Sequence, residues 1–161
     1  DPVLSRGLGD VYKRQLSWDL QFLILMIIKK QFLLFVTLFL NFLLLAEKIK
    51  INNSVLEVVI ADTKQSRNQG LMFIDSLDKN MGMFFVWPKP SKKCMWMRNT
   101  KIPLSVAFID ENYLIREIKE LKPLNLDSVC SRSESIKFAL EVNQGWFVEK
   151  NIKIFNKIIV E

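Results

Sequence analysis

Arg98, Asn99 and Thr100 are three adjacent polar side chains placed directly after the apolar stretch Cys94–Met97, where a loop would leave a sheet. A guanidinium offers a forked cation to a carboxylate or phosphate, and Asn and Thr add directional hydrogen bonds, a set suited to gripping a polar or anionic ligand. The competing reading is structural: Asn99 and Thr100 would hold a tight turn, with Arg98 paired to Asp62 or Glu141. Glu141 lies within the apolar run Phe138–Val142, which marks a partly buried carboxylate. Such a group serves either as a general acid or base or, more commonly, as one half of an ion pair. Three tryptophans, Trp87, Trp96 and Trp146, offer flat faces for a sugar-like ligand. Trp96 is expected in the core, and the other two stand near loops.

Sulfur is concentrated in the same region. Met72, Met81, Met83, Met95 and Met97 fall within residues 72–97, with Cys94 beside the last pair. Soft thioether and thiolate donors suit Cu(I). Met-x-Met spacing on a strand equally places both side chains on one packed face. Cys94 and Cys130 are the only cysteines. A disulfide between them would tie the loop Lys122–Ser135 to the sheet and contribute about 3 to 4 kcal/mol through loop closure. The chain has no histidine, which excludes Ser-His-Asp and Cys-His catalytic sets, His-ligated zinc and a histidine base. Nothing in the sequence calls for a cofactor or a resident metal.

Composition divides the 161 residues into unlike parts. The whole chain carries 23 Lys and Arg against 17 Asp and Glu. Removing the five basic and three acidic residues of 1–46 leaves 18 against 14 over 47–161, a net charge of +4. The basic residues are interspersed with carboxylates, unlike the clustered face that nucleic acid requires. Residues 1–15 (DPVLSRGLGDVYKRQ) resemble a translated sequencing adapter, so residues 1–25 are set aside as a non-native or untranslated leader. From Met26, the pair Lys29-Lys30 precedes a 14-residue run, Phe32–Leu45, interrupted only by Thr37 and Asn41. This is the pattern of a signal peptide ending near Ala46, or of an uncleaved anchor, and the run is short for a membrane span of about 20 residues. Either way residues 47–161 are expected to work outside the cytoplasm, in the periplasm or beyond, touching membrane only through the N-terminal segment.

The elements that must position these side chains are short. Val55–Ala61 follows the Asn52-Asn53 turn signal and predicts a strand. Asp62 as N-cap with Gln65 three residues on predicts a helix over Thr63–Gln69, stopped by Gly70. Strands are further expected over Gly82–Trp87, halted by Pro88 and Pro90, and over Cys94–Met97. Ser105–Ile109 and Tyr113–Leu121 form a hairpin about Asp110-Glu111-Asn112. Lys122–Ser135 reads as a loop, Phe138–Val142 as a strand, Gly145–Asn151 as a turn or short helix, and Lys153–Val160 as a final strand with Ile152, Ile154, Ile158 and Val160 on one side. About seven short strands with one or two short helices imply a mainly β fold, a single-domain sandwich or barrel preceded by a hydrophobic leader helix.

Four strings are more specific than the strand pattern: GLMF at Gly70–Phe73, GMFFVWP at Gly82–Pro88, WMRNTKIPLSVAFID at Trp96–Asp110, and ALEVNQGWF at Ala139–Phe147. Together they resemble the prokaryotic family called domain of unknown function 192, over essentially the whole of 47–161. The resemblance implies an N-terminal export signal and a compact β-rich sandwich or barrel with small helices, and it brings no assigned biochemical role. Ser105 stands where many members have Asp, and Ile74 where an Arg often follows GLMF, so a mechanism built on charge at those two positions is weakened.

The reading that follows is an exported, non-catalytic domain that binds a small polar ligand or an envelope protein, with Trp96, Arg98, Asn99, Thr100 and Glu141 as the expected contacts. An enzyme using Glu141, Arg98 and Asp62 or Asp110 is the alternative. It requires two carboxylates converging on one pocket with Arg98. A Met/Cys copper protein and a pocketless interaction module are the remaining alternatives.

Overall fold

A computed structural model describes residues 25–31 and 46–160. Residues 25–31 are helical, and the rest of the expected leader through residue 45 lies outside the described residues, whereas Ala46, the expected cleavage residue, begins the first strand. Among the described residues no helix is long and apolar enough to cross a membrane.

Residues 46–160 are mainly β, as expected. The strands are β1 (Ala46–Ile51), β2 (Ser54–Ala61), β3 (Met81–Ser91), β4 (Cys94–Met95), β5 (Leu104–Asp110), β6 (Ile115–Leu121), β7 (Val129–Cys130), β8 (Ile136–Asn143) and β9 (Ile158–Val160). Seven of them form one curled half-barrel sheet in the order β6-β5-β8-β3-β2-β1-β9, and β4 pairs with β7 separately. The curl brings the ends of that order together: Ile158 N–H donates to Tyr113 O, Ile115 N–H to Asn156 O, and Phe155 N–H to Ile115 O, at 2.9, 3.0 and 2.7 Å.

All contacts within the large sheet are antiparallel except β2 with β3. A parallel pair needs a crossover rather than a hairpin, so residues 62–80 must pass over one face of the sheet. That face carries Ala61, Met83, Phe85, Val106, Phe108 and Ala139, buried together with Leu71 of the crossover and with Met95, Met97 and Ile102 of the chain between β3 and β5. The opposite face packs Leu56, Val58, Phe84, Ile109, Leu140 and Val142 with Ile49 and Ile158 inside the curl. β5 is buried along its whole length and β8 along nearly all of its length. Their apolar runs are therefore continuous because both faces of the sheet are covered.

Several boundaries differ from the sequence reading. The helix spans Lys64–Gln69 with Thr63 as N-cap, and Ser66 rather than Gln65 closes the capping box. Either Asp62 or Thr63 can cap, and Ser66 lets Thr63 bond reciprocally. The helix ends at Gly70, with φ 49°. β3 continues through Pro88 and Pro90 because its register with β8 breaks between Val86 and Ser91, so the prolines sit where no ladder donor is required. β4 is two residues long, and β7 forms inside the expected loop Lys122–Ser135. The last strand is only Ile158–Val160, preceded by turns with Asn151 and Phe155 at positive φ. Of the four side chains expected to share a face there, Ile152 and Ile158 are buried, while Ile154 is half exposed and Val160 is exposed.

Gly82 sets the spacing at the sheet centre. A Cβ there would lie 2.6 Å from the carbonyl oxygen of Glu141 and 3.3 Å from Leu56. Gly82→Ala should therefore lower stability by about 1–3 kcal/mol through overpacking, read as a drop in denaturant midpoint. An unchanged midpoint would mean that β3 and β8 can part to admit a methyl group.

Candidate functional site

Alternation along β8 puts Ala139 and Glu141 on the face covered by the crossover, and Glu141 lies opposite Met83 of β3 and Val106 of β5. Its side chain is 4% exposed. It enters no hydrogen bond or ion pair with the described residues, so no neighbour compensates its charge. Burial alone pushes its pKa up to about 8, because a carboxylate loses hydration that nothing replaces. At neutral pH it is chiefly the uncharged acid.

Glu141 lines a pit of about 20 Å³ together with Arg67, Gly70, Met72, Trp96 and Thr100. This is room for about one water-sized group. A wider groove of about 320 Å³ adjoins it, sharing Arg67, Phe85, Met95 and Trp96 and adding Lys64 and Trp87. Arg67 is held in place by its Nη1, which donates to the carbonyl oxygens of Asp62 and Val86, and its guanidinium lies 5.9 Å from the centre of the Trp87 ring. Lys93 approaches the same ring at 5.1 Å and donates to Ser91 Oγ and Lys89 O. Burial, then the charge of Arg67, lowers its pKa. Lys64 and Arg67 form no ion pair among the described residues, which leaves the groove cationic.

The Trp96–Thr100 segment is a turn that clamps two loops. Thr100 N–H donates to Met97 O, and Asn99 has φ 55°. Phe73 N–H donates to Asn99 O, Leu124 N–H to Thr100 O, and Met97 N–H to Asn125 O. The turn expected at Asn99 and Thr100 is therefore present, but Arg98 pairs with neither Asp62 nor Glu141. Its guanidinium sits 5.8 Å from the Trp96 ring centre. Of the five expected contacts, Trp96, Thr100 and Glu141 line the pit, whereas Arg98 and Asn99 are exposed beside it.

Trp96 is not in the core as expected. Trp96 is 43% exposed, and Trp146 is buried at 2%, edge-on to Phe147 in the inner cluster. Asp110 is buried with its carboxylate committed to Arg116 and to the N–H groups of Asn112 and Leu114, and Asp62 is exposed. Neither lines the pit or the groove, so the two carboxylates required for the enzyme reading do not converge. Cys94 and Cys130, directly opposite on β4 and β7, are joined in a disulfide, which takes the only thiol candidate out of a copper set. Met83, Met95 and Met97 are packed in the apolar cluster.

The strings that form this site extend over the whole domain. The family model for domain of unknown function 192, described as Uncharacterized ACR, COG1430, matches residues 47–160. The chain belongs to this family.

Two solved structures resemble this DUF192 domain. One is a Sinorhizobium meliloti 1021 protein provisionally described as a transcription regulator, with TM-score 0.68 and 26% identity, covering 71% of this chain and 92% of its own. The other is a protein of unknown function from Novosphingobium aromaticivorans DSM 12444, with TM-score 0.65 and 26% identity, covering 70% and 83%. No curated protein sequence matches the chain. The two departures from the family pattern lie away from the pit. Ser105 is buried, donating to Glu120 and accepting from Gly145 N–H, and Ile74 packs against the apolar cluster.

Glu141 also makes stability pH-dependent in an identifiable direction. The unfolded chain releases this proton near pH 4.5, and the folded domain keeps it to about 8. Between those values the folded state binds more protons, so raising the pH favours unfolding, by roughly 5 kcal/mol across the window. Glu141→Gln should remove most of that decline in a melting series from pH 5 to 9. Parallel curves for the two proteins would contradict the assignment.

Proposed function

We propose that this DUF192 domain is an exported binding module that holds a small polar or anionic ligand, without turning it over, in the groove beside the Trp96–Thr100 turn. The observation that carries the reading is the composition of the groove. Lys64 and Arg67, which form no ion pair among the described residues, and the aromatic surfaces of Trp87 and Trp96 line a groove that adjoins the pit lined by the buried Glu141. Cations give attraction and the aromatic faces give contact area at low entropic cost. A single carboxylate in the pit supplies no acid and base pair, which favours binding over chemistry. Export is supported by the leader pattern and by the disulfide, a bond that persists in oxidising compartments.

An envelope protein is the second reading. Phe73, Leu124 and Leu126 are exposed apolar side chains on the loops that the same turn clamps, with Trp96 beside them, and together they offer a surface to a partner.

Native mass spectrometry of the protein purified from its exported compartment should show a small molecule retained by the wild type. Trp96→Ala should retain it about tenfold less, the loss of roughly 1.4 kcal/mol of stacking and contact, with an unchanged melting temperature. A wild-type protein that carries only its own mass, and whose tryptophan fluorescence responds to no member of a panel of small anions and polyols, would reject ligand binding. A co-purifying protein would move the assignment to the second reading.

A further inference from the structure

We propose that Glu141 takes part in binding as a neutral carboxylic acid that donates its proton in a hydrogen bond to an oxyanion entering the pit, so that holding the anion and keeping that proton are linked. The inference rests on the groove reading and adds the ligand class and its regulation.

The geometry of the pit supports it. Glu141, 4% exposed, lines a space of about 20 Å³, which admits a terminal oxygen but not a bulky group. The elements packed around Glu141 present almost no other charge. The sheet contributes Met83, Phe85 and Val106, and the turn contributes Met95, Trp96 and Thr100. The crossover contributes Asn68, Gln69, Gly70, Leu71 and Met72, with Arg67 as the one charged residue lining the pit. Lys64 lines the adjoining groove, and Arg98 stacks on Trp96 at its rim.

These surroundings select an anion. Lys64 and Arg67 repel a cationic ligand, which would otherwise take the carboxylate as its partner. An anion is attracted by the same cations, but an ionised Glu141 at the floor would oppose it. The conflict disappears when Glu141 keeps its proton, because O–H···O⁻ is among the strongest hydrogen bonds available to a carboxyl group. Arg67 lines the pit without offsetting the effect of burial on Glu141, so burial holds the proton in place through neutral pH. Above that range the proton passes to solvent, two negative charges face each other, and the anion leaves. A ligand offering a hydroxyl would behave differently, since an ionised Glu141 could still accept from it.

Benzoate is a suitable probe: its carboxylate stays ionised throughout the range, and its ring suits the Trp87 and Trp96 faces. Its Kd for the full chain should rise about 30-fold between pH 6.5 and 9.5, the tenfold per pH unit of a single linked proton above pH 8. Glu141→Gln, which keeps a permanent donor, should change by less than about threefold over the same range. A wild-type Kd that does not vary with pH, an equal rise in Glu141→Gln, or no benzoate binding at pH 6.5 would each overturn the inference. The groove reading is separated by Trp96→Ala. If that variant weakens benzoate while the wild-type Kd ignores pH, the groove stands and the proton linkage falls. If benzoate binds with full affinity to Trp96→Ala, both fall.

Discussion

A parallel pair of neighbouring strands cannot be joined by a tight turn, and the contact between β2 and β3 is the one parallel pairing in this sheet. Much of the molecule follows from that constraint. The chain must travel from the end of β2 to the start of β3 across a face of the sheet, and it does so with the helix Lys64–Gln69 and the loop beyond Gly70. The crossover buries Leu71 against Met83, Phe85 and Ala139 and carries Arg67 to the mouth of the pit. An antiparallel pairing with a two-residue turn would remove the crossover residues Arg67 to Met72 from the lining of the pit.

The second organising feature is the turn at Asn99. Its backbone accepts from Phe73 and, through Thr100, from Leu124, while Met97 donates to Asn125. Bulky residues at positive φ are costly, yet Phe73, Asn99 and Leu124 all adopt it at this junction. The strain is held by backbone hydrogen bonds among three loops, and the disulfide between β4 and β7 lies in the same assembly of chain segments. The turn therefore fixes one wall of the pit, including Trp96 and Thr100, while the helix supplies Arg67, Asn68 and Gln69 to its lining. The WMRNT string builds the wall, and the late pair Leu140 and Glu141 places Leu140 in the inner cluster and Glu141 on the opposite face of the sheet.

Local patterns made several of these parts legible. β-Branched and apolar runs marked β2, β5 and β8, Gly70 marked the helix end, and a lone Glu in an apolar strand marked Glu141. What could not be read locally depends on sheet order. Arg67 belongs to a short helix with no buried residue of its own, and nothing within that helix indicates that it faces β8. Trp96, expected in the core, is exposed, and Trp146, which stands near a loop, is buried, because burial depends on which segment covers a residue and the inner face of the curl claims Trp146. The prolines of β3 misled because a proline ends a strand only where its missing N–H is needed by a neighbour.

The account depends on Glu141 being an uncompensated acid at the floor of the pit. Side-chain carboxyl chemical shifts followed against pH by ¹³C NMR, with Glu141→Gln to identify the resonance, test this directly. The structure calls for a midpoint of about 8. A midpoint within the ordinary range for glutamate, about 4 to 5, would show that Glu141 is solvated or paired, and would contradict the account.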